Sequence, residues 1–122
     1  MAKYCLDTYT LWEIILGNPK FSFLMNEPFV ITDWTLIELY KTMLREFDKD
    51  ASRKWYEKFK SCCATVDISL VLNALDFQHQ NKKENLSIFD CVGYFYSLEN
   101  DLEFVTGDKE FEKMKNVQFM KK

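Results

Sequence analysis

Four acidic residues stand where packing alone would not place them. Asp7 follows the apolar run Tyr4-Cys5-Leu6 and is the only charge between Lys3 and Glu13. Glu38 lies in Trp34-Thr35-Leu36-Ile37-Glu38-Leu39-Tyr40, beside the apolar stripe of that segment. Asp90 is the only charged residue in LSIFDCVGYFYSL, residues 86–98. Asp108 comes directly after Gly107, beyond the β-leaning run Glu103-Phe104-Val105-Thr106. A carboxylate in such apolar surroundings is costly unless it is paired, metal-bound or at the edge of the core. Carboxylates crowded together repel one another unless a cation neutralises them. Oxygen donors without Cys or His suit Mg²⁺ or Mn²⁺. A hard metal so held serves phosphoryl chemistry, because it polarises the phosphate, activates water and offsets charge on the leaving oxygen. Each acid also has a bland role open to it. Asp7 can cap a helix, Asp108 can close a turn, Asp90 can sit in a helix's first turn, and Glu38 can simply be exposed.

The elements that must position these acids follow from periodicity. Residues 3–6 read as a short strand and 8–16 as a helix with Thr8 as its N-cap, stopped by Gly17-Asn18-Pro19. Residues 21–25 suggest a short helix and 29–31 a buried strand. Thr32 or Asp33 caps a helix over 34–47, whose stripe Leu36, Leu39, Tyr40, Met43 and Phe47 has helical spacing. A charged helix spans 50–62, a strand is expected at 65–68, and Ser69 starts a helix through Gln80. After the polar connector 81–85, Ser87 caps a helix over 88–100. The remainder reads as strand 103–106, short helix 108–113 and strand 117–120. Alternating short apolar strands and helices imply a parallel sheet covered on both faces, an α/β sandwich in a single domain over residues 1–122. In such sheets ligands bind beyond the carboxyl ends of the strands, the edge at which Asp7 and Asp108 are placed.

Composition narrows the function classes. The 122 residues, 48% apolar and 29% charged, exclude disorder and low complexity. Sixteen Lys and Arg against nineteen Asp and Glu argue against a purely electrostatic binder of nucleic acid. Residues 41–60 depart from this balance: seven bases and four acids make the segment +3, leaving −6 elsewhere. It is a solvated helix face or a surface turned to a polyanion. Lys41 and Arg45, three and seven residues beyond Glu38, share its helix face; with Lys49 they are candidates for guiding a phosphate backbone. Cys5, Cys62, Cys63 and Cys91 form no C-x-x-C pair and read as free thiols, and His79 is the lone histidine, so zinc is disfavoured. The abundant aromatics read as core or interface. No stretch approaches the roughly 18 apolar residues of a spanning helix, and Asp7 interrupts the N-terminal run too early for a signal-peptide core. The expectation is a soluble cytoplasmic protein.

In order and spacing, Leu6-Asp7-Thr8, Leu36-Ile37-Glu38-Leu39, Leu86-Ser87-Ile88-Phe89-Asp90 and Val105-Thr106-Gly107-Asp108-Lys109-Glu110-Phe111 resemble PIN-domain proteins. The last piece is similar to the family's "vT-x-D-x-x-F" ending. The likeness covers essentially the whole chain and is to the small toxins of VapBC toxin–antitoxin pairs. It implies a three-layer α/β/α sandwich with parallel sheet order 3-2-1-4-5. It further implies an endoribonuclease using Mg²⁺ or Mn²⁺, with Asp7, Glu38, Asp90 and Asp108 as catalytic metal-binding acids. Thr8 and Thr106 fall where the family has hydroxyls supporting the first and last acids. An RNA substrate, a homodimer and an antitoxin partner are implied as well. The sequence departs from the family at Tyr9, where a small polar residue is common, and at Tyr94, Phe95 and Tyr96, where alanines are usual. A DNA-directed nuclease of the same fold stays open, because acids and metal do not by themselves distinguish ribose from deoxyribose. Two further rival readings stand beside it. One is a non-catalytic PIN-like RNA-binding or interaction module, which would have lost acids. The other is a receiver-type signalling domain, disfavoured because Asp7 is unpaired and Asp67 falls inside the expected third strand.

Overall fold

A computed structural model describes residues 1–122. Five strands, β1 (Tyr4–Leu6), β2 (Phe29–Thr32), β3 (Cys63–Ala64), β4 (Glu103–Thr106) and β5 (Val117–Phe119), form one sheet in the order β3-β2-β1-β4-β5. Every pairing is parallel, with Tyr4 opposite Phe29 and Glu103, and Cys5 opposite Val30 and Phe104. The expected strand order is therefore observed.

The two-residue period of the strands divides the core. Tyr4, Leu6, Ile31 and Val105 point to one face. There they meet Leu11 of α1 (Thr8–Ile15), Leu36, Leu39 and Met43 of α2 (Asp33–Glu46), and Phe59 of α3 (Lys49–Phe59). Cys5 and Phe104 point to the other face, against Val71 and Ala74 of α4 (Ile68–Gln80) and Cys91, Val92 and Tyr94 of α5 (Ile88–Glu99). Two separate apolar clusters flank one sheet, which is the three-layer arrangement. All four cysteines are free, Cys5 and Cys91 within the core. No helix is long and apolar enough to cross a membrane.

Local chemistry moves several boundaries. The N-cap of α1 is Asp7, not Thr8: the Asp7 carboxylate accepts from the Thr10 N–H at 2.8 Å. The expected short helix at 21–25 is part of a 3-10 run, Pro19–Asn26, and that at 108–113 contracts to the 3-10 turn Lys109–Phe111. The charged helix ends at Phe59 and tightens into a 3-10 turn, Lys60–Cys62. Consequently β3 lies at Cys63–Ala64 rather than 65–68, and Asp67 is outside it. The Asp67 carboxylate accepts from the Leu70 N–H at 3.0 Å and caps α4, a use that takes its backbone out of the sheet. One of the two grounds against the receiver reading, Asp67 inside a strand, thus falls. Asp67 is nevertheless an exposed cap, away from the other acids.

Candidate active site

The parallel strands all end on one edge, and the four acids gather there. A cleft of about 500 Å³ is lined by Asp7, Glu38, Asp90 and Asp108, together with Thr8, Tyr9, Thr42, Gly107, Lys109 and Lys121. Asp7 is the most constrained. Its N–H donates to the Val105 carbonyl at 3.1 Å, its own carbonyl accepts from the Leu11 N–H at 3.1 Å, and the Thr10 hydroxyl donates to the same Val105 carbonyl at 3.1 Å. These bonds fasten the start of α1 to the end of β4. The Asp7 side chain is only 2% exposed, and burial pushes its carboxyl up to about 6 against the lowering effect of hydrogen bonds from Thr106, Thr10 and Gly107.

The Thr106 hydroxyl serves two acids. It accepts the Asp108 N–H at 3.0 Å and lowers the proton affinity of the Asp7 carboxylate, so one buried side chain stands between the first and last acids. Asp108 is fixed further by the Glu110 N–H, which donates to its carboxylate at 3.0 Å. Thr8 turns to Glu38 instead of Asp7, and its hydroxyl is 2.5 Å from the Glu38 carboxylate. One turn on, the Thr42 hydroxyl donates to the Glu38 carbonyl at 3.0 Å.

Asp90 lies in the first turn of α5, which Ser87 caps through the Phe89 N–H at 3.2 Å. Its carboxyl is held well above the ordinary carboxylate range. Burial is the largest cause, followed by the charges of Asp7, Glu38 and Asp108 and a hydrogen bond shared with Asp108. Carboxylates that raise one another's proton affinity in this way mark a site short of positive charge. The molecule's two ion pairs, Arg45–Glu46 and Lys60–Glu57, involve none of the four acids. The donor chemistry therefore fits a hard divalent cation: it is all oxygen, carries excess negative charge, and has hydroxyl and N–H groups to orient the ligands. No three of these side chains form a ready-made cage.

Lys41 is exposed and stands outside the cleft. Arg45 lines a smaller groove of about 220 Å³ that shares Thr8, Tyr9 and Thr42 with it. Tyr9, marked in the sequence as a departure beside Asp7, lines the cleft, whereas Thr42, Lys109 and Lys121 were not foreseen there. Thr42 was within reach, being one turn beyond Glu38, and Lys109 adjoins Asp108. Nothing local marked Lys121. A second cavity of about 530 Å³ opens between α2 and α3, but its lining is mainly apolar and its only acid is Asp33.

Comparison with solved structures decides the fold. The chain is similar to a toxin–antitoxin complex from Klebsiella pneumoniae (14% identity over 95% of this chain and 96% of that one, TM-score 0.73). VapC20 of Mycobacterium tuberculosis, described as a sarcin–ricin loop cleaving toxin, aligns with 13% identity over 90% and 92% of the two chains, TM-score 0.73. The chain has a PIN-domain fold. DNA-bound VapBC from Salmonella typhimurium aligns over 99% and 98% of the two chains with 18% identity and a TM-score of 0.72. No family model and no curated protein matches the sequence. The PIN fold accounts for the strand order, and this chain's own side chains must account for any chemistry.

Proposed function

We propose that this protein is a divalent-metal-dependent endoribonuclease, the toxin of a toxin–antitoxin pair acting in the cytoplasm. The observation that carries this reading is the convergence of Asp7, Glu38, Asp90 and Asp108 on one cleft, where no ion pair neutralises them. The likeness to a toxin described as cleaving the sarcin–ricin loop supports RNA as the substrate class. Likeness to a toxin–antitoxin complex and to VapBC supports an antitoxin partner. The homodimer belongs to the same proposal.

Asp7, Asp90 and Asp108 would hold Mg²⁺ or Mn²⁺, with Glu38 completing the set. Bound there, the ion supplies polarisation of the scissile phosphate and a lowered pKa for the attacking water. The chain contributes position. Asp7 is held by Thr10, Asp108 by Thr106 and Glu110, and Glu38 by Thr8. Such fixed carboxylates need no reorganisation as charge develops. Glu38, anchored on a different helix, would orient a water for in-line attack. The products would be a 5′-phosphate and a 3′-hydroxyl.

Cleavage of end-labelled structured and single-stranded RNAs in Mn²⁺, Mg²⁺ or EDTA tests this. Metal-dependent cutting is expected, with losses of at least a hundredfold in Asp7→Asn and Asp90→Asn. No cutting together with no metal binding by calorimetry would replace the nuclease with a PIN-like binding module.

A further inference from the structure

The cleft that holds the four acids has two cations on its wall, Lys109 and Lys121, and only Lys121 is built into place. Its ammonium donates to the Gly107 carbonyl at 3.0 Å and lies over the Tyr9 ring, 5.2 Å from its centroid. The backbone around it is tied on both sides. The Met120 N–H donates to the Thr106 carbonyl at 2.9 Å, and the Lys122 N–H donates to the Tyr9 hydroxyl at 2.9 Å. The Lys121 carbonyl accepts from the Lys20 ammonium. Tyr9 can lie there because residue 107 is glycine: a Cβ at that position would stand 2.2 Å from the Tyr9 ring. Gly107, Tyr9 and Lys121 thus form one unit against Asp108 and Asp7.

We propose that Lys121 binds a non-bridging oxygen of the RNA phosphate that enters the acid cleft, and that Tyr9 is its positioning residue. The inference rests on the nuclease reading and deepens it. A polyanion approaching four carboxylates meets repulsion that a metal ion offsets only at the scissile position. A cation held on the wall of the same cleft supplies attraction for that phosphate or its neighbour. Tyr9 and the Gly107 carbonyl restrict the rotamers of Lys121, so less ordering entropy is lost on binding. Lys121 has no carboxylate partner in an ion pair, so its charge is free for a ligand.

The test measures binding of a cleavage-resistant 2′-O-methyl RNA oligonucleotide to the Mn²⁺-loaded protein by fluorescence anisotropy over a range of salt. Wild type, Lys121→Gln, Lys121→Arg and Tyr9→Leu are compared, with steady-state cleavage of the unmodified RNA alongside. Lys121→Gln should weaken binding five- to twentyfold and reduce the salt slope by about 0.7, the value for one single-strand phosphate contact. In cleavage the loss should fall mainly on KM, and Lys121→Arg should restore most of it. Tyr9→Leu should copy the binding defect while Mn²⁺ affinity stays at the wild-type value, which a general folding defect would not do. Wild-type binding and salt slope in Lys121→Gln, in a protein that still cuts RNA, would overturn this inference alone. Failure of wild type to bind the oligonucleotide would overturn it too, and cleavage lost in Asp90→Asn decides the nuclease reading separately.

Discussion

The bland roles of the acids and the proposed chemical ones call on the same atoms. Asp7 caps α1 and also presents a buried carboxylate to the cleft; Asp108 caps the turn at Lys109–Phe111 and faces Asp90. A sequence shows both options as competing explanations because cap and ligand residues share one chemistry. The structure removes the competition, since one carboxylate has lone pairs enough for a cap N–H and a cation. The charge of Asp7 has a measurable cost. Its pKa rises from 3.8 to about 6 on folding, so between those values the folded state binds more protons than the unfolded state. Stability of the metal-free protein therefore falls as pH rises through that window and stays low above it. Asn at position 7 keeps an oxygen for the Thr10 N–H and removes the charge. In EDTA at pH 7, Asp7→Asn should be more stable than wild type by about 2 kcal/mol, a gap that shrinks towards pH 4. Added Mn²⁺ should raise the melting temperature of wild type and leave the variant nearly unmoved. Thermal unfolding at several pH values checks this. A gap independent of pH would show that burial of the Asp7 charge is not its source.

Elements were legible where they were long enough to show a period. The α2 stripe of Leu36, Leu39 and Met43 and the Ser87 cap of α5 lie where spacing put them. β3 was misplaced because two residues carry no period at all, and because Thr65 and Val66 look like a strand while Asp67 diverts them into a cap. The α5–β4 contact was hidden for another reason. Gly93 reads as a weak point inside a helix, yet a Cβ there would lie 2.8 Å from Cε1 of the fully buried Phe104. The Tyr94 ring packs beside it, 6.0 Å from Phe104 and 5.5 Å from Phe111, and so fills the space next to the close approach. Helix propensity alone favours Gly93→Ala by about 1 kcal/mol, whereas overpacking a core costs about 1–3 kcal/mol. The clash should win, with a net loss of about 1 kcal/mol in urea unfolding. Combining it with Phe104→Leu should cost less than the two single changes added together. A Gly93→Ala protein more stable than wild type would mean that Phe104 moves aside freely.

At the scale of the molecule, charge is distributed against the net value. The chain is −3 overall, yet residues 41–60 are +3 and occupy the end of α2 and all of α3. Several of these cations are already occupied: Lys60 pairs with Glu57, Lys58 lies over Trp55, and Arg53 lies over Tyr40. Arg45 differs by location, because its groove shares Thr8, Tyr9 and Thr42 with the acid cleft and so extends the path a strand would take. Its contact with Glu46, 3.3 Å between two exposed side chains, is weak enough to exchange for a phosphate. Arg45→Ala should therefore weaken binding of single-stranded RNA and flatten its salt dependence by about 0.7 in slope, with Mn²⁺ affinity unchanged. Lys54→Ala removes an equal charge from the same segment away from the groove, and Lys41→Ala removes one from Glu38's own helix outside the cleft. Both should change the slope less. Equal effects from all three would assign the attraction to the field of the segment as a whole. An unaltered slope in Arg45→Ala would mean that the backbone leaves the acid cleft by another route, past Lys109 and Lys121.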